Sequence, residues 1–206
     1  MKGMINTGDL LRAVLDKSVG LRTGRVLSHL AVFELGGFDR LIGVTDGGMN
    51  ITPTLAQKAD IIQNAAGVFR HFGVDPVKVA VLAAVETVNA DMPGTIDASA
   101  LAKMADRGQL KGAIVDGPLA LDNAVSEEAA KHKGIVSPVA GKADILLVPN
   151  IEVGNVLGKS LVYMAGGKIA GLIAGASRPV VVTSRADTPE SKVISIAMAS
   201  LCSRDQ

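Results

Sequence analysis

The chain has 206 residues, of which 48% are hydrophobic and 20% charged, with 21 Lys and Arg against 20 Asp and Glu. That length and composition allow one large or two small globular domains with a sizeable core. Near-zero net charge, 2% aromatic residues and no Trp exclude a basic, base-stacking nucleic-acid surface.

Thr7-Gly8-Asp9 reads as the capped start of a helix that ends near Gly20. Val26 to Leu35 and Leu41 to Thr45 read as strands, and Gly36-Gly37 between them predicts a hairpin. Thr52-Pro53 opens a second helix running to about Phe72. Its apolar residues Ile61, Ile62, Ala65, Ala66, Val68 and Phe69 keep helical spacing, and Gly73 stops it. Val77 to Val85 is almost wholly apolar, as a strand buried on both faces should be. A helix over Ile96–Arg107, a strand over Gly112–Val115 and a helix over Leu119–Lys131 follow. Ala143 to Val148 is a further buried strand, and Glu152 to Ala165 a helix with Gly154 and Gly158 inside it. Glycine weakens a helix interior by roughly 1 kcal/mol, so these two predict close approach by backbone or ligand. Strands over Lys168–Ile173 and Val180–Val182 precede a last helix to about Leu201. From Pro76 onward strands and helices alternate, which predicts βαβ units and a mostly parallel sheet covered on both faces, an α/β fold.

The one cysteine, Cys202, rules out an internal disulfide within this sequence, fits a reducing compartment and reads as a packing residue. The first residues carry no apolar signal segment, and no apolar run reaches membrane-spanning length. The expectation is a soluble cytoplasmic protein. No phosphate-binding lysine loop or dinucleotide glycine pattern follows a strand. His29, His71 and His132 lie far apart without metal-like spacing. They are read as structural or solvated, and no metal is expected.

What remains is a set of polar turns at strand ends: Asp46-Gly47-Gly48-Met49-Asn50, Asp116-Gly117-Pro118, Pro149-Asn150 with Gly154-Asn155, and Ser184-Arg185. Such turns in one sheet face a common crevice. The last is the densest, holding Ser184, Arg185, Asp187 and Glu190 ahead of the helix start at Thr188-Pro189. Arginine binds phosphate through paired charge-assisted hydrogen bonds, and helix N-termini add to it. Arg12 and Arg185 are therefore the phosphate candidates.

These motifs, TGDLLRAVL (7–15), GLRTGRVLSH (20–29), TDGGMN (45–50), ADRGQLKGAIVDGPLALDNAVSEEAA (105–130), SPVAGKADILLVPNIEVGN (137–155) and VTSRAD (182–187), resemble the phosphate acetyl/butyryltransferase family. Within it, the chain is most similar to the butyryl-transferring branch. The resemblance implies a three-layer α/β/α architecture like that of isocitrate/isopropylmalate dehydrogenases. It implies two domains with the active site between them: 1–23 and 172–206 form an incomplete first domain, and 24–171 the second. It implies transfer of an acyl group between coenzyme A and inorganic phosphate, with acyl-CoA and phosphate as partners. Coenzyme A would be a substrate, no cofactor would be held permanently, and the protein would be a homo-oligomer.

On the same resemblance Ser184 and Arg185 are the catalytic pair and Arg12 a phosphate ligand. Asp46, Asn50, Asn150, Gly154 and Asn155 supply the remaining substrate contacts. The family's base for the thiol falls at Ser191, so that role passes to Asp187 or Glu190. The family's first domain also begins with a segment ahead of the position of Met1. Two other readings are open: a non-catalytic acyl-CoA-binding or assembly module, and an NAD-dependent relative of the same layered fold. Absence of metal-binding aspartate spacing argues against the second.

Overall fold

In the computed structural model, which describes residues 2, 4–184 and 187–203, the chain forms a six-stranded sheet between two layers of helices. The elements are α1 (Thr7–Val14), β1 (Ser28–Glu34), β2 (Ile42–Thr45), α2 (Leu55–His71), β3 (Val77–Leu82), α3 (Pro93–Asp106) and β4 (Ala113–Leu119). They continue with α4 (Leu121–Val125), α5 (Glu127–His132), β5 (Ile145–Leu147), α6 (Ile151–Tyr163), β6 (Lys168–Ala174) and α7 (Pro189–Leu201). Strand order is β4-β3-β5-β2-β1-β6. The β4–β3, β3–β5 and β5–β2 pairs are parallel, and β1 runs antiparallel to both β2 and β6. The sheet is thus mostly parallel, with the predicted hairpin at one side.

Alternation along each strand divides the core. Leu30, Val32, Val79, Val81, Ile145 and Leu147 pack against α2 and α3, while Ala31, Phe33, Val44, Ala80, Leu82 and Leu146 pack toward α4, α5 and α6. Cys202 is buried with the first set, and burial pushes its thiol above the ordinary range, so it packs rather than reacts. Gly43 is required where the ring of Phe69 crosses the sheet, because a Cβ there would stand 2.8 Å from it. A third, smaller cluster joins α1 (Leu10, Leu11, Val14) to Leu27, Met49, Ile173, Val180 and Val182. Among the described residues no helix is long and apolar enough to cross a membrane.

Several boundaries differ from the sequence expectation for local reasons. The first helix ends at Val14, not near Gly20, because the Asp16 carboxylate accepts from the N–H groups of Ser18 and Val19 at 2.8 and 3.0 Å and turns the chain. Those same donors hold its carboxyl below the ordinary range. Helix α2 starts after Thr54, not Thr52, since Thr54 and Gln57 cap each other reciprocally. Strand β3 stops at Leu82, short of Val85, and β4 runs on through Asp116-Gly117-Pro118 to Leu119. Gly117 allows this, because a Cβ there would stand 2.8 Å from Val81 O. Pro118 is tolerated because β4 is an edge strand with no outer neighbour to serve. The helix expected over 119–131 is two helices, broken where Ser126 turns extended and caps α5 by accepting from Ala129 N.

Val180–Val182 is not a strand. It makes a single antiparallel bridge, Val180 to Ile173. The turn that separates it from β6 is far too short for a parallel crossover, so the chain can only fold back on itself.

Candidate active site

Residues of β1, β6, α6 and α7, the end of β2 with the loop after it, and the segment before α7 enclose a cavity of about 370 Å³. Its wall includes His29, Gly47, Gly154, Asn155, Ser184 and Asp187. Ser184 and Asp187 hold each other through their turn: Ser184 N donates to Asp187 Oδ2 at 2.6 Å, and Asp187 N to Ser184 O at 3.2 Å. Helix α7 then starts as expected, with Thr188 Oγ1 accepting from Ser191 N at 3.1 Å and proline in the first turn. Ser195, one turn further on, accepts from Gly171 N at 3.0 Å and so ties α7 to the outer strand β6. Ala31, Val44, Val162, Ile169 and Val182 give the cavity an apolar side.

The other expected ligands divide into two groups. Asp46 is only 2% exposed and organises its loop, with Oδ1 accepting from Gly48 N and Met49 N at 2.8 and 2.9 Å. Asn50 Nδ2 donates to Asp46 Oδ2 and to Leu27 O at 2.6 and 2.8 Å. Asn150 caps α6 by accepting from Val153 N at 3.0 Å. Their side chains shape the backbone of the site. Gly154 and Asn155, in contrast, line the cavity itself, and Asn155 Nδ2 reaches Gly47 O at 3.5 Å.

Two candidates lie elsewhere. Glu190 faces Lys168 at 3.2 Å and is not in the cavity wall. Arg12 projects from α1 into solvent and pairs with Asp9 at 2.8 Å. Arg185 falls outside the described residues. Among the described residues no cluster of three or more His, Cys, Asp or Glu is placed to hold a metal ion.

The glycines of α6 have different roles. A Cβ on Gly154 would stand 2.7 Å from Gly47 Cα and 3.0 Å from Asp46 O, so helix and loop touch backbone to backbone. A Cβ on Gly158 would meet only the Phe33 ring, at an ordinary 3.5 Å. Gly154→Ala is therefore expected to cost about 1–3 kcal/mol through overpacking. Gly158→Ala should gain roughly 1 kcal/mol from helix propensity. Urea midpoints of the two variants check the opposite signs.

His29 is the residue that sequence reasoning missed. It opens β1, opposite Ile173 of β6, and its ring lines the cavity. Burial holds its pKa below the ordinary imidazole range, against the opposing pull of the Asp46 and Asp187 carboxylates. No spacing in the sequence marks it, because its neighbours come from β2, β6 and the segment before α7.

Comparison with known proteins gives the family of the chain. The chain is 56% identical over 201 residues to a phosphate butyryltransferase of Clostridium acetobutylicum, covering 98% of this chain and 67% of that protein. It is 53% identical to a phosphate acetyltransferase of Thermotoga maritima, covering 98% of this chain and 68% of that protein. The chain thus spans about two thirds of the length of these curated relatives. The crystal structure of a branched-chain phosphotransacylase from Enterococcus faecalis V583 superposes with a TM-score of 0.90 at 41% identity, over 98% of this chain and 72% of that one. The family model described as phosphate acetyl/butaryl transferase matches residues 1–200. The chain belongs to that phosphate acetyl/butyryl transferase family.

Proposed function

We propose that this chain moves a short acyl group, butyryl most readily, between coenzyme A and inorganic phosphate at the Ser184 cavity. The observation that carries the reading is the position of Ser184. It stands in a tight turn beside an apolar wall of Ala31, Val44, Val162, Ile169 and Val182, in a member of this family. The apolar wall suits an alkyl chain, and the polar rim suits a thioester or acyl phosphate.

In this reading the Ser184 hydroxyl donates to the carbonyl oxygen as negative charge develops on it. The Asp187 carboxylate fixes the turn that aims the hydroxyl. Arg185, outside the described residues, and Arg12 hold the phosphate. The Arg12–Asp9 pair has side chains 79% and 54% exposed. Such a pair is worth about 1 kcal/mol at most, so Arg12 can leave it for a phosphate. Phosphate and thiol attack the acyl carbon directly, and holding both reactants in one cavity supplies much of the acceleration. The family's two-domain division, with residues 1–23 and 172–206 facing residues 24–171, belongs to the same reading and puts the substrates between the two parts.

The test is phosphate-dependent release of CoA from butyryl-CoA by the purified chain, with acetyl-CoA alongside. Two further methylenes on the apolar wall contribute about 0.8 kcal/mol each. Butyryl-CoA should therefore exceed acetyl-CoA in kcat/KM by on the order of ten-fold. Equal values would show that the wall does not read the alkyl chain. CoA binding without turnover by the folded chain would favour an acyl-CoA-binding module instead.

A further inference from the structure

We propose that His29 is the catalytic base of this site, taking the proton of the coenzyme A thiol and later giving it to the departing phosphate. The proposal rests on the acyl-transfer reading of the Ser184 cavity.

The ring of His29 is held without being used. Its backbone is pinned by Thr45, whose Oγ1 donates to His29 O at 2.8 Å. Bare glycine backbone lies on both sides of the imidazole. A Cβ at Gly48 would stand 3.1 Å from Cγ and 3.3 Å from Nδ1, and a Cβ at Gly171 would stand 3.1 Å from Nε2. Two side chains that would crowd the ring are thus absent. Nδ1 is buried and has no hydrogen-bond partner among the described residues. An unpaired buried polar atom is costly, and a ring that takes part in a reaction is one of the few places where it is retained. Nδ1 lies by Gly48, in the loop gathered by Asp46. Nε2 lies by Gly171, which with His29 forms part of the cavity wall. We assign the ring proton to Nδ1, which leaves the Nε2 lone pair for the thiol.

The other titratable groups suit the role less well. Asp187 already commits one carboxylate oxygen to a short hydrogen bond from Ser184 N, which fixes the turn before α7. Glu190 faces Lys168 away from the cavity. Charged and titratable groups facing His29 are Asp46 from the loop after β2, Asp187 from the turn before α7, and Lys159 and Tyr163 from α6. Burial keeps the imidazole neutral and able to accept a proton, and the two carboxylates stabilise the imidazolium once it forms.

The step balances. The thiol S–H bond breaks, its proton passes to Nε2, and the electron pair stays on sulfur. Sulfur forms the new bond to the acyl carbon. The carbon–oxygen bond to phosphate breaks, and phosphate leaves with that pair. The imidazolium returns the proton to a phosphate oxygen, giving thioester and hydrogen phosphate.

The experiment compares wild type with His29→Gln, using butyryl phosphate and CoA as substrates and circular dichroism as the folding check. Turnover by the variant should fall on the order of 10²–10³-fold, with CoA binding kept. The ultraviolet absorbance of bound CoA should show thiolate at lower pH in wild type than in His29→Gln. Wild-type turnover that the variant matches within three-fold overturns the His29 role alone. No turnover by folded wild type overturns the acyl-transfer reading and this role with it. If the glutamine variant does not fold, His29→Asn and the wild-type pH–rate profile decide. A limb that falls with acid and vanishes in the asparagine variant supports the role, and a turnover and profile that the two proteins share overturn it.

Discussion

Replacing Ser184 by alanine should lower phosphate-dependent turnover of butyryl-CoA by on the order of 10²–10³-fold, the loss seen when one donor to a developing oxyanion is removed. The effect should fall on kcat more than on KM. A hydroxyl that strengthens its hydrogen bond only as the carbonyl oxygen becomes negative stabilises the transition state and not the bound substrate. Fold and CoA binding should survive, because the turn is held by the backbone groups of Ser184 and by the backbone and carboxylate of Asp187. Ser184 N donates to Asp187 Oδ2, Asp187 N donates to Ser184 O, and neither bond uses the hydroxyl. Asp187→Ala is the informative companion. It leaves the hydroxyl in place but removes the acceptor that fixes the turn, so both kcat and KM should worsen. Steady-state kinetics with butyryl-CoA and phosphate separate the two. A Ser184→Ala enzyme within a few-fold of wild type would reduce Ser184 to a turn residue and return the oxyanion to other donors.

Asp97→Ala should destabilise the protein by about 3 kcal/mol, near the lower end of the cost of leaving one partner of a buried ion pair alone. Lys58, on α2, is only 5% exposed, and its Nζ lies 2.6 Å from Asp97 Oδ2 on α3. Here a lysine on the packed face of a helix is tolerated because the neighbouring helix brings a carboxylate to it. Without Asp97 the ammonium must stay buried uncompensated or drag its stem toward water. Asp97 is itself 30% exposed, so water can reach the vacated side, which is why the loss should sit at the lower end of the range. Lys58→Met combined with Asp97→Leu should recover most of the stability, since well-packed apolar pairs replace buried ion pairs at little cost. Urea denaturation of the three proteins checks this. A single variant as stable as wild type would mean that the pair holds α2 and α3 in register without stabilising them.

The pair also shows what local sequence does not mark. Lys58 stands one turn before the apolar stripe of Ile61, Ile62, Ala65, Val68 and Phe69, and nothing beside it in the chain records its burial. Only the packing of α3 on α2 reveals its partner.

Much of the layout was nonetheless legible. The alternation of apolar runs and capped helices is a local property, so β3, α3, β5, α6 and β6, the Thr188-Pro189 start of α7 and the hairpin of β1 and β2 follow from neighbouring residues alone. The glycine at position 154 announced a close contact, and its partner is the backbone of Gly47. Misplaced boundaries at Val14, Leu119 and Ser126 arose where a side chain competed locally for backbone donors or an edge position removed the usual penalty on proline.

The grouping of the candidate residues was legible in part. Ser184, Asp187, Gly154 and Asn155 meet in one cavity. Asp46, Asn50 and Asn150 are not in its wall and serve as loop and helix caps. Residues that cap turns and residues that bind ligands are drawn from the same short list, because both tasks need compact hydrogen-bonding side chains. Sequence alone therefore determined most of the elements and the family to which the chain belongs. The strand order was decided only by the tertiary structure. It sets β1 between β2 and β6 and thereby carries His29 into the same cavity as Ser184 and Asp187. Strand partners and burial arise from contacts distant in the chain, and no local spacing of residues records them.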